Sequence, residues 1–181
     1  SWSVFNQEKQ MDFNGYFWAR PDGNLLIDPV LMSDSDLAQV QKLGGVKTCV
    51  ITNADHTRDV QRLYKYFEYN VWVHAADAAG LLVPVSRRLE EGDQVADGIE
   101  VIHLRYGKTP GEIALWMPQY KTFYAGDILR GTPVGSVSLL PDNKLQDPAR
   151  AVLDLRKLLA LFFENLLVGD GHSLFGNARS K

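Results

Sequence analysis

The stretch Val50-Ile51-Thr52-Asn53-Ala54-Asp55-His56-Thr57-Arg58-Asp59 changes character at its third residue. A β-branched run ends there, and polar and charged side chains begin where a helix would start. Strand ends that feed helix starts are where α/β proteins gather chemistry, because the free N–H groups of the helix end are held in place by the strand. A plain turn with Asp55 as helix cap accounts for the same ten residues. The surrounding chain has to decide between the two.

Upstream, Phe13 to Arg20 alternates aromatic with small or polar residues, and Pro21-Asp22-Gly23-Asn24 supplies turn chemistry before Leu25-Leu26-Ile27-Asp28-Pro29. This reads as an opening β-hairpin. Ser33-Asp34-Ser35-Asp36 offers helix caps, Leu37, Val40 and Leu43 follow at helical spacing, and Gly44-Gly45 ends the helix. Val46 to Thr52 is then a buried strand, Asp59 to Phe67 a second helix, and Val71 to His74 the next strand. Such alternation implies a partly parallel sheet with helices packed on it.

Downstream, Arg88 to Pro118 reads as a β-meander with strands at Gly98 to Leu104 and Glu112 to Met117, and another strand follows at Lys121 to Ala125. Gly131 to Leu140 reads as a loop over a cavity. Asp147-Pro148 starts a helix whose stripe Val152, Leu155, Leu159, Phe162 runs to about Asn165, ahead of a last strand at Leu166 to Val168. Gly176 to Lys181 reads as the opening of a further helix, so a C-terminal helix beyond it is expected. Tyr16, Trp18, Trp72 and Trp116 are read as core.

The 181 residues, with 45% hydrophobic and 23% charged content, suit one soluble domain spanning 1–181. No apolar run reaches the roughly 20 residues of a membrane span. A net charge of −3 without a basic cluster argues against nucleic acid as a partner. The lone Cys49 excludes an internal disulfide, and a reducing cytoplasm is the expected location.

Four polar loops each follow a strand candidate: Asn53 to Asp59, Tyr106 to Gly111, Ala125-Gly126-Asp127 and Gly169-Asp170-Gly171. In this order the chain resembles the metallo-β-lactamase superfamily, in particular its glyoxalase II-like hydrolases, along nearly its full length. The resemblance implies an α+β four-layer αββα sandwich with the active site at the edge where the loops meet. It also implies homodimerisation as an option.

The resemblance further implies a di-metal ligand set, and here the chain departs from it. Aligned on Thr52, the family's His-x-His-x-Asp-His positions fall on Asn53, Asp55, Thr57 and Arg58; the histidine of its Gly-His-Thr-Pro-Gly loop falls on Lys108, its bridging aspartate on Asp127, and its last histidine on Asp170. One of these seven positions, Asp127, keeps the family's residue. An ammonium or guanidinium has no lone pair to offer and repels a cation, so Lys108 and Arg58 argue against two zincs. The same two cations could pair with Asp55, Asp127 and Asp170. Each contact near 4 Å has a Coulomb energy of roughly 4 kcal/mol at an effective dielectric of about 20, offset by desolvation.

The function expected is therefore a metal-free small-molecule-binding protein or pseudo-hydrolase with no cofactor. Asn53, Thr57, Arg58, Asp170 and Arg130 would line its cavity, with Arg130 available to an anionic ligand. The alternative is a hydrolase of ester, thioester or lactone substrates, using Lys108 with the carboxylates Asp127 and Asp55, or a single divalent metal held among Asp55, His56, Asp127 and Asp170. His56 is expected to point away from the cavity on the first turn of its helix. β-Lactamase activity is not expected.

Overall fold

The computed structural model describes residues 1–181. The first half lays down six strands: β1 (Trp2–Asn6), β2 (Met11–Trp18), β3 (Leu25–Ile27), β4 (Thr48–Ile51), β5 (Asn70–His74) and β6 (Arg87–Leu89). They form one sheet in chain order, antiparallel from β1 to β3 and parallel from β3 to β6. Helices α1 (Asp34–Lys42) and α2 (Val60–Phe67) lie in the connections from β3 to β4 and from β4 to β5, the crossovers that parallel neighbours need. The hairpin at Pro21 to Asn24 and the strand–helix alternation are as expected from sequence. Strand β1 is an addition.

The second half builds β7 (Gln94–Ala96), β8 (Ile99–His103), β9 (Ile113–Met117), β10 (Thr122–Tyr124), the small ribbon β11 (Leu129–Arg130) with β12 (Ser138–Leu139), helix α3 (Pro148–Leu158) and β13 (Asn165–Leu167). The second sheet runs β13-β10-β9-β8-β7, with β13 parallel to β10. Residues 131–140 are thus only partly a loop, because Ser138 and Leu139 pair with Arg130 and Leu129.

The period-2 pattern of the strands sorts the core into layers. Leu25, Ile27 and Val50 of the first sheet meet Ile99, Val101, Ile113 and Leu115 of the second. Leu26, Cys49, Ile51, Val71 and Val73 point the other way, onto Leu37 and Val40 of α1 and Val60 and Leu63 of α2. Ala114, Trp116 and Phe123 pack against Ala151 and Leu158 of α3. The result is the αββα sandwich.

Two helix boundaries differ from the sequence reading. Asp55 does not cap a helix: Asn53 accepts the Asp55 N–H at the start of a 3₁₀ turn, Ala54–Thr57, and α2 begins only at Val60. Helix α3 is well started by Asp147, which accepts the Arg150 N–H, and by Pro148, yet it stops at Leu158 rather than near Asn165. The N–H groups of Glu164 and Asn165 both donate to Lys121 O, so this segment is drawn off to begin β13 and leaves Leu159 and Phe162 exposed. The C-terminal residues expected to open a helix form a single 3₁₀ turn, Ala178–Ser180. No helix is long and apolar enough to cross a membrane.

The last polar loop is stitched to the first hairpin. Asn14 Nδ2 donates to Val168 O at 3.0 Å and to Gly171 O at 2.8 Å, Tyr16 Oη donates to Val168 O at 2.8 Å, and Asn14 N donates to Gly169 O at 2.8 Å. Gly131 and Gly171 lie so close that a Cβ on Gly131 would fall 1.7 Å from His172 O. Only glycine permits this approach. It carries Arg130 beside Asp170.

Candidate functional site

Five segments bring charge to one edge of the sandwich: the end of β3 with Asp28, the turn after β4 with Asn53 to Arg58, the loop before β9 with Lys108 to Glu112, the loop after β10 with Asp127 and the loop after β13 with Asp170. One carboxylate holds two of them in place. Asp77, in the 3₁₀ turn after β5, accepts the N–H of Ala54 at 2.9 Å, the N–H of Gly111 at 2.9 Å and the hydroxyl of Thr109.

At the centre is His56. Its Nδ1–H donates to Asp28 Oδ2 and its Nε2–H to Asp127 Oδ1, each at 2.7 Å. The expectation that His56 would turn away is overturned, because the 3₁₀ turn directs the ring inward, where it is fully buried. Asp28 also accepts from Thr52 N, Thr52 Oγ1 and Tyr124 Oη, so it is an ionised acceptor with no proton of its own to offer. With a carboxylate on both sides the ring is an imidazolium. Burial opposes that charge, but Asp127 and Asp28 outweigh it and push the His56 pKa up to about 10.

Around Asp127 the charges close into a network. Lys108 Nζ lies 2.6 Å from Asp127 Oδ2 and 2.8 Å from Asp55 Oδ2. Arg58 reaches Asp170 Oδ1 at 3.1 Å and Asp127 Oδ1 at 3.9 Å, while its guanidinium covers the Phe13 ring at 4.5 Å. Arg130 stands 3.7 Å from Asp170 Oδ2. Burial alone would raise the Asp127 carboxyl, yet the His56 and Lys108 cations hold it well below the usual carboxylate range. Asp170, desolvated and beside Asp127, is raised. Burial works against the Lys108 ammonium, and Asp127 more than compensates, so its pKa is raised and it stays protonated.

The sequence candidates thus divide. Asp55, Arg58, Lys108, Asp127, Arg130 and Asp170 meet in one network. Asn53 is buried and shapes the turn, and the Thr57 side chain makes no hydrogen bond to the cluster. Sequence reasoning missed Asp28, Asp77 and Glu112. Asp28 had a readable signal, a charged residue closing the apolar run Leu25-Leu26-Ile27. Glu112 sits beneath the Lys108 loop, accepting the Lys108 N–H, and burial together with nearby Asp127 pushes its pKa up to about 7.

Donor atoms of His56, Asp127 and Asp170 lie within 4.8 Å of one another, the minimum grouping for a metal, and Asp55 is not among them. Their chemistry does not fit one as arranged. Both nitrogens of His56 carry protons, both oxygens of Asp127 accept from His56 or Lys108, and both oxygens of Asp170 face arginines. A divalent ion needs free lone pairs, and the side chains that would have to withdraw are themselves cations.

A family model described as metallo-beta-lactamase superfamily matches residues 1–181, and the chain belongs to that superfamily. Among solved structures, TTHA1623 in a di-iron-bound form is similar at 26% identity and a TM-score of 0.76, with 100% of this chain and 98% of that chain covered. The metallo-beta-lactamase from Pontibacter korlensis is similar at 16% identity and a TM-score of 0.77, with 98% and 88% covered. BLEG-1 B3 metallo-beta-lactamase has 16% identity and a TM-score of 0.72, with 95% and 92% covered. The last two show a shared fold. No curated protein sequence matches the chain.

Proposed function

We propose that this protein is a glyoxalase II-like member of the superfamily whose metal-ligand positions have been replaced, and that it binds a small anionic molecule without metal. One observation carries the reading: the oxygens of Asp127 and Asp170 that would serve a metal are already engaged by His56, Lys108, Arg58 and Arg130. The similarity to a di-iron-bound protein supports the ancestry of the cavity and is a property of that protein. Two further donors on the same loops, Asn53 Nδ2 and Arg130 Nε, are buried without an acceptor, which suits an oxyanion better than a cation. The buried free thiol of Cys49 suits a reducing cytoplasm.

The competing reading is ester, thioester or lactone hydrolysis with Lys108 stabilising the oxyanion. It is favoured by the protonated ammonium, whose side chain keeps 21% of its surface exposed. Elemental mass spectrometry after dialysis against zinc, manganese and iron salts, run beside a panel of chromogenic esters and a thermal-unfolding screen of small anions, separates the readings. Anion-dependent stabilisation with no retained metal and no turnover is the expected result. Stoichiometric metal, or turnover lost on Lys108→Met, would overturn it.

A further inference from the structure

Lys108 holds two carboxylates of very different character. Asp127 has 1% of its side chain exposed and is locked on its other oxygen by His56, whereas Asp55 has 57% exposed and touches the cluster only through Lys108. The main chain of Asp55 is fixed independently, its N–H donating to Asn53 Oδ1 at 3.0 Å, so its side chain can swing without moving the turn. An ion pair at the surface is weak, equivalent to no more than about fivefold in an equilibrium constant, while a buried and doubly bonded one is not easily opened.

The charges make the same distinction. His56, Lys108, Arg58 and Arg130 stand against Asp28, Asp127, Asp170 and Asp55, with buried Glu112 a fifth carboxyl whose pKa is pushed up to about 7. With Asp55 turned outward, Lys108 keeps Asp127 as its one ion-pair partner. An oxygen placed where Asp55 Oδ2 now sits, 2.8 Å from Lys108 Nζ, restores the lost contact.

We infer that Asp55 is the site's own resident anion, holding Lys108 until a small oxyanion, carboxylate or phosphate, displaces it. The inference rests on the anion-binding reading above and adds to it the contact point and the competitor. Asp55 thereby sets the threshold concentration at which ligand enters, and it penalises every incoming anion by repulsion until it leaves Lys108.

The test is isothermal titration of acetate and of inorganic phosphate, at constant ionic strength, into wild type, Asp55→Ala, Asp55→Asn and Lys108→Met. Asp55→Ala is expected to bind more tightly than wild type, by up to about fivefold from loss of the competing ion pair, with the repulsion removed as well. Asp55→Asn, which keeps an acceptor but no charge, is expected to fall between. The tighter of the two probes assigns the ligand as monoanion or dianion. Equal affinity in wild type and Asp55→Ala would overturn the role of Asp55 while leaving anion binding intact. Undiminished affinity in Lys108→Met would place the anion elsewhere and overturn both the contact point and the competitor. Absence of binding in all variants would overturn the anion-binding reading itself. Lys108→Arg, which keeps the charge, is the fallback if Lys108→Met does not fold, and it is expected to retain binding.

Discussion

His56 and Asp28 meet at 2.7 Å in the interior although 28 residues separate them, and the other face of the same ring meets Asp127 at 2.7 Å across 71 residues. A single protonated side chain therefore ties the end of β3 to the loop after β10. At the candidate site this charged link adds to the hydrogen bonds from Tyr124 Oη to Asp28 and from Ile113 N to Thr52 O in joining the first sheet to the second.

This joint gives stability a characteristic pH dependence. A histidine whose folded pKa is raised from 6.5 to about 10 contributes fully below pH 6.5, and the contribution is lost as pH rises through 10. The folded pKa values of Asp28 and Asp127 are depressed, so their contribution is present above their ordinary carboxylate range and is lost as pH falls through it. Urea unfolding is expected to show a maximum on the acid side of neutrality and a decline toward pH 10 of up to about 4 kcal/mol. A flat profile from pH 6 to 10 would contradict an imidazolium at His56.

Lys108→Met leaves Asp127 buried with its second oxygen unpaired. Breaking one side of a buried pair costs about 3 kcal/mol, which in a chain of this length lowers the unfolding temperature by roughly 6–12 °C. Differential scanning calorimetry at pH 7 checks it. An unchanged unfolding temperature would mean that Asp127 is held by His56 alone.

Glu112→Gln should act in the opposite direction. The folded pKa of Glu112 is raised from 4.5 to about 7, so ionising it costs stability as pH rises through that window. Glutamine can still accept the Lys108 N–H. At pH 8 the variant is expected to be more stable than wild type by about 3 kcal/mol, with the difference vanishing near pH 4.5. Denaturant midpoints at the two pH values decide the matter.

Asp77→Ala removes the acceptor for three donors on two loops at once. A loss of about 3 kcal/mol is expected, since hydrogen bonds to a charged acceptor count for more than neutral ones. Hydrogen exchange offers a local check: the amides of Ala54 and Gly111 should lose protection before those of β4 and β9.

Much of this architecture could be read in the chain. The apolar runs at Leu25-Leu26-Ile27 and Val71 to Val73, the turn at Pro21 to Asn24 and the cap at Asp147-Pro148 are local signals, and local signals survive folding. Helix α3 was overestimated because its apolar stripe continues through Leu159 and Phe162, whereas tertiary pairing of Glu164 and Asn165 with Lys121 ends it. The charged residues of the cavity were visible as residue types at strand ends. Their pairing was not. The inward turn of His56 depends on a 3₁₀ geometry that no spacing rule specifies, and its partner Asp28 lies on a separate strand. Nothing in the local sequence marks Asp77 or Glu112 as buried, and only the topology buries them.

The seam between Asn14 and the segment from Val168 to Gly171 joins positions more than 150 residues apart in the chain. Contacts so remote carry the largest loop-closure entropy and form late in folding. Arg58, which comes from the first half of the chain, consequently waits for Asp170 until the two sheets have docked. The seam therefore completes the charged cluster: it sets Asp170 against Arg58, while the contacts of His56 and Lys108 with Asp28, Asp127 and Asp55 involve none of its residues.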